Sequence, residues 1–144
     1  MNALRKSKTL ARISALSLAV ALAVGSGSVL AEAMNVKLSG DQEVPPVQTS
    51  GSGSGTITIG DDGSVSGSVT AAGFTPTAAH IHEGPAGKNG PVIVPFTKDG
   101  DKFGPAAGAK LTPDQLKAFK AGDLYVNIHS AAHPGGEVRA QLKP

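Results

Sequence analysis

Apolar residues recur at every second position in one short run after another along this chain, and glycine closes most of the runs. "GTITIGDDGSVSGSVTAAG", residues 55–73, shows the pattern best. Ile57 and Ile59 share one face of a run, Val65 and Val69 share one face of the next, and Gly60-Asp61-Asp62-Gly63 between them is made of turn-formers. A period of two is that of a strand with one side buried, and two such runs joined by a short glycine-rich link make an antiparallel hairpin. "MNVKLSG" repeats the alternation with Val36 and Leu38, "AHIHEG" and "PVIVPF" are short strands joined by the loop "GPAGKNG", and "DLYVNIHS" and "GEVRAQL" end the chain. "DQEVPPVQTSGSGSG" reads as a connector within the domain, because Pro45-Pro46 is extended and the Ser/Gly run offers no side chains to pack. One helix stands among the strands. Thr112 is its N-cap, Pro113 its first residue, Gln115 completes a capping box, and Gly122 ends it. Leu116 and Phe119 would face the sheet. These signals together describe an all-β sandwich or barrel with one short helix.

The first 33 residues have a different purpose. "MNALRKSKTLAR" carries Arg5, Lys6, Lys8 and Arg12 without an acid, "ISALSLAVALAVG" is apolar, and "SVLAEA" supplies small residues for cleavage after Ala31 or Ala33. That order is a secretory signal peptide, and its apolar run is shorter than the roughly 20 residues that span a bilayer. The expected mature domain is residues 34–144, exported to a periplasm or beyond the cell and not held in a membrane. Without the signal, the 13 basic and 11 acidic residues of the whole chain fall to nine and ten, a net charge of −1. No cluster of bases with interleaved aromatics remains, which excludes nucleic acid as a partner. The chain has no cysteine, so an exported domain of this size is held by its core or by a bound ion.

All four histidines fall in two clusters, His80 and His82 in "HIH", and His129 and His133 in "NIHSAAHPGGE". Residues two apart on a strand point the same way. Ile81 marks the core side of its strand, so His80 and His82 take the other. Leu124, Val126 and Ile128 leave Tyr125, Asn127 and His129 opposite the core, and Val138, Ala140 and Leu142 leave Glu137, Arg139 and Gln141 there. In one sheet, these side chains emerge on a common non-core face. Imidazoles at i and i+2 have Cα atoms roughly 6.5 Å apart, close enough to share one ion. The expected ligands are His80, His82, His129 and His133. A nitrogen-rich set without thiolate suits copper, with zinc less suited. Glu83 and Glu137 are the nearby carboxylates that could orient ligands, although strand parity turns Glu83 away. Arg139 is read as a surface cation or as a guide for a small anionic substrate.

"LSGDQEVPPVQTSGSGSGTITI", "AAHIHEGPAGKNGPVIVPF" and "GDLYVNIHSAAHPGGEVRAQL" together resemble the CHRD domain, the module repeated in chordin and found alone in bacterial exported proteins. The resemblance runs from about Asn35 to Leu142 and implies an immunoglobulin-like or Greek-key antiparallel β-sandwich. A looser likeness is to the HVH strand of copper/zinc superoxide dismutases. It implies that His80, His82 and His129 hold copper and that Arg139 guides superoxide. The zinc-loop histidines and the disulfide cysteines of that family are absent, which leaves a copper-only site. Two functions follow as expectations. One is a copper site, either superoxide dismutase-like or metal-sequestering. The other is a metal-free module that binds a protein or glycan. Convergence of the histidine rings to within roughly 4 Å is the feature that separates them.

Overall fold

The computed structural model describes residues 30–144, so the segment expected to be a signal peptide lies, up to residue 29, outside the described residues. Eight strands follow in order: β1 (Ala31–Leu38), β2 (Ser52–Gly60), β3 (Val65–Ala72), β4 (Pro76–Glu83), β5 (Val92–Asp99), β6 (Lys102–Pro105), β7 (Leu124–Ser130) and β8 (Val138–Leu142). One helix, α1 (Pro113–Ala121), precedes β7. Every pairing is antiparallel, in the order β1-β2-β3-β6-β5-β4-β7-β8. The stretch β3-β6-β5-β4 is a Greek key. β5 belongs to both halves of the fold, since Val92–Pro95 pair with β4 and Phe96–Asp99 with β6. Ser39 and Arg139 exchange backbone hydrogen bonds of 3.1 and 3.0 Å just past β1, drawing β1 toward β8. The result is a nearly closed barrel, as expected of the all-β class. Among the described residues no helix is long and apolar enough to cross a membrane.

The interior is built from alternate positions of each strand. Ile57, Val69, Ile81, Leu124, Val126, Ile128, Val138 and Leu142 are all fully enclosed. With few aromatics available, Phe103 from β6 and Phe119 from α1 close gaps that the aliphatic side chains leave. The helix starts as expected. Thr112 accepts from the Gln115 N–H at 3.2 Å and the Gln115 side chain accepts from the Thr112 N–H at 2.9 Å. It stops at Gly122, whose φ of 80° is open to glycine at little cost.

One expectation changes. The Ser/Gly run is not wholly a connector, because Ser52–Gly55 extend β2 and pair with Thr70–Ala72 and Val69 of β3. A side chain on Gly55 would overlap the Ser68 carbonyl, so the glycine serves close approach of two strands. β6, Lys102-Phe103-Gly104-Pro105, carries no strand signal in the sequence, because Phe103 is its one large apolar side chain.

Candidate metal centre

The facing of β4, β7 and β8 follows strand parity. Ala79 and Ile81, Leu124, Val126 and Ile128, and Val138, Ala140 and Leu142 enter the core. His80 pairs across to Asn127 and Arg139, His82 to Tyr125 and Gln141, and Ala78 to His129, all on the opposite face. That face is not open to solvent. β7 is buried at every residue, Arg139 is 1 % exposed and Asn127 2 %. Three segments fold over it: residues 40–48, 84–91 and 131–136. They carry much glycine and proline, so their backbone comes close and presents carbonyls to the side chains below.

Those carbonyls set the chemistry of the histidines. His82 Nδ1 lies 2.9 Å from the Gly90 carbonyl, and His129 Nδ1 lies 2.9 Å from the Pro134 carbonyl. A carbonyl only accepts, so both Nδ1 atoms carry the proton and both Nε2 atoms present a lone pair. Carbonyls behind the ring orient and polarise metal-ligating histidines in this way. His82 Nε2 is buried without a hydrogen-bond partner. His129 Nε2 lies 3.0 Å from His80 Nδ1, an approach that requires a proton or a cation between the two nitrogens. One nitrogen from each of His80, His82 and His129 falls within 4.8 Å of the others. Two ligands on one ion at about 2.0 Å are at most about 4 Å apart, so binding draws the widest pair in by under about 1 Å. Burial, then His129 and His82, hold His80 below its ordinary pKa. Burial also holds His82 down, partly opposed by the Gly90 carbonyl. Both are thus favoured as neutral imidazoles, the form that binds metal.

A layer of side chains supports the cluster. The Tyr125 ring stacks on His82 with centroids 4.7 Å apart and planes 5° apart, and its hydroxyl accepts from the Gly90 N–H at 3.1 Å. β4 and β8 flank β7, so His82 reaches Tyr125 from one side and Arg139 from the other. The Arg139 guanidinium carbon lies 3.4 Å from the Tyr125 ring centroid. Its nitrogens donate to the carbonyls of Lys88 and Pro85 and to the side chains of Asn89 and Gln141. Arg139 is therefore not an exposed cation. It is a clamp that ties the 84–91 segment to the sheet, its charge solvated by carbonyl oxygens and an aromatic face.

The other expected residues are placed elsewhere. His133 stays in the loop after β7, its N–H donating to Ser130 Oγ at 3.1 Å, and it is not among the three clustered rings. It lines a cleft of about 520 Å3 together with Glu43, Asn89 and Gly136. Glu137 accepts from Thr49 Oγ1 at 2.6 Å and latches the connector before β2, not a histidine. Burial would raise Glu137, but hydrogen bonds from Ser130 and Thr49 win and hold it below the usual carboxylate range. Glu83 pairs with Leu124 at the end of β4, on the side that parity predicts. Glu43, brought onto this face by the 40–48 segment, is 4 % exposed and was not legible as a site residue.

An antiparallel barrel with a buried polar layer and three converging imidazoles on one sheet defines an all-β domain with a candidate metal centre. Residues 34–142 match the CHRD domain family model, and the chain belongs to that family. No curated protein and no solved structure matches it.

Proposed function

We propose that this CHRD domain binds a transition metal ion, copper in preference to zinc, through His80, His82 and His129. One observation carries the reading: two imidazoles have their tautomer fixed by carbonyls, and the lone pair of one of them, His82 Nε2, is buried with no partner. Buried polar atoms are rarely left unpaired, and a metal-free surface module has no use for one. Neutral imidazoles without thiolate favour Cu²⁺ over zinc on the general order of stability. Three protein ligands also leave a coordination position open, and half-buried His80 is the side from which it is reached.

The open position favours one-electron chemistry as the use of the site. A bound copper ion would supply an electron acceptor and donor, the means by which two superoxide anions and two protons become dioxygen and hydrogen peroxide. The chain's own part is to hold the three rings, exclude bulk water with the 84–91 and 131–136 segments, and keep Tyr125 against His82. Sequestration of the metal is the competing use. The N-terminal signal would place either one in a periplasm or outside the cell.

Metal analysis of the protein recovered after export tests the site. Native protein should carry close to one copper per chain, and a His80→Ala/His82→Ala variant should carry almost none. Equal copper in both overturns the assignment. Superoxide consumption by the copper-loaded protein then separates an enzyme from a carrier.

A further inference from the structure

Among the described residues, three buried side-chain atoms lack a hydrogen-bond partner, namely His82 Nε2, Asn127 Oδ1 and Glu43 Oε1. They are neighbours. Asn127 interacts with His82 on one side and with Glu43 on the other. Gly136 makes the approach possible, since a Cβ there would overlap both Glu43 Oε1 and Asn127 Nδ2. Neighbouring buried polar atoms without partners call for an explanation, and a proton or charge moving among them supplies one.

Arg139 does not settle Glu43. Its nitrogens are engaged by Pro85, Lys88, Asn89 and Gln141, and it forms no ion pair with the carboxyl. Burial accordingly raises Glu43 to about 7, against the lowering effects of Arg139 and Asn127. The titratable or charged groups around it are Arg139 from β8, His133 across the cleft, and Asp41 on its own turn, while β7 presents only the uncharged Asn127.

We propose that Glu43 is the charge-compensating carboxyl of the histidine centre, a neutral acid while the three imidazoles hold no cation and a carboxylate once a divalent cation sits among them. The inference rests on the metal reading above. The Glu43 O–H bond breaks, its proton passes to water in the cleft beside His133, and the negative charge stays behind Asn127. No electron moves. The gain is electrostatic: two positive charges placed in a buried layer attract an anion through a low-dielectric interior far more strongly than through water. Glu43 is thus a positioning residue that tunes cation affinity without touching the cation.

Calorimetric titration with Cu²⁺, run in two buffers of different protonation enthalpy, counts the protons released. At pH 6.5 a carboxyl that titrates near 7 is about three-quarters protonated. Wild type should therefore release about three-quarters of a proton more per Cu²⁺ than Glu43→Gln, and the difference should vanish at pH 8.5. Binding with equal proton release in both overturns this inference and leaves the metal site standing. Absence of Cu²⁺ binding by wild type removes the metal site, and this inference with it. A measurement without a variant guards against misfolding of Glu43→Gln. The infrared carbonyl stretch of a protonated carboxyl, present in the metal-free wild type at pH 6.5, should disappear on Cu²⁺ addition. Its persistence overturns the proposal.

Discussion

Ile81 and His82 are neighbours on β4 and both are buried, yet different things bury them. Ile81 points into the barrel, paired with Val126 on β7 and Val94 on β5 within the aliphatic core. His82 points the other way and is enclosed by a tyrosine ring, a loop carbonyl and the segments above the sheet. The apolar face gains from removal of surface from water, which is non-directional and tolerant of exchange. The polar face gains little that way. Each of its groups must be matched in direction, by Pro85, Lys88, Gly90 and Pro134 carbonyls. One face therefore holds the fold together, and the other holds a geometry. The mismatched atoms left over on the second face are the ones that point to chemistry.

The sharpest test of that division substitutes adjacent residues of β7. Ile128→Ala removes a fully enclosed side chain and should cost about 2–5 kcal/mol of stability while leaving copper stoichiometry intact below its melting temperature. His129→Ala, one position on, should cost about 1 kcal/mol, since it leaves the Pro134 carbonyl without its donor, and should abolish copper binding. Chemical denaturation and metal analysis of the two proteins check both statements. If the two losses move together in both variants, the faces are not separable.

The next effect is a pH dependence that belongs to the polar face alone. Glu43 is raised from 4.5 to about 7, so in that window the folded, metal-free protein keeps a proton that the unfolded chain has released. Stability then falls as pH rises from about 4.5 to 7 and is level above it. The shift corresponds to about 3 kcal/mol. His80 and His82 act in the opposite sense. Held below 6.5, they cost stability as pH falls through that value. Subtracting one protein's urea-unfolding curve from another's cancels the histidines. Glu43→Gln should match wild type near pH 4 and exceed it by up to about 3 kcal/mol at pH 8. A difference that does not change with pH would show that the carboxyl is already ionised in the folded protein.

The division of faces was largely legible from parity. Ile81, Val126 and Val138 mark the core side, and that alone assigns His80, His82, His129 and Arg139 to one surface. Their burial was not legible, because it depends on where the connecting segments travel. The path of 84–91 turns on Gly84 and Gly90, at which any side chain would press on Tyr125 or on the Glu83 carbonyl. A glycine in a sequence announces freedom but not which neighbour requires it. Arg139 therefore read as a surface cation, since its carbonyl partners lie some 50 residues away along the chain. Glu43 carried no signal at all: it sits before Val44 and two prolines, in a segment with no period. His133 was grouped with His129 on nearness in sequence, but the turn through Ser130 keeps it in the loop.

The smallest effect probes the apolar face at its far end. Thr112 and Gln115 close the N-terminus of α1 reciprocally, and Phe119 in the same helix is packed into the core cluster. Thr112→Ala removes one of the two capping bonds and should lower stability by about 1 kcal/mol. The helix also leads into β7, and the Gln141 side chain, which holds Arg139, donates to the Gly122 carbonyl at 2.9 Å. That thread is a direct route by which a change at the cap could reach the clamp over Tyr125. Because the bond is made by the last residue of the helix stop and not by its first turn, copper affinity should stay within about twofold of wild type while the melting temperature falls by about 4–8 °C. A larger loss of affinity would mean that Gln141 transmits strain from the core face to the histidines, and that the two faces are mechanically one.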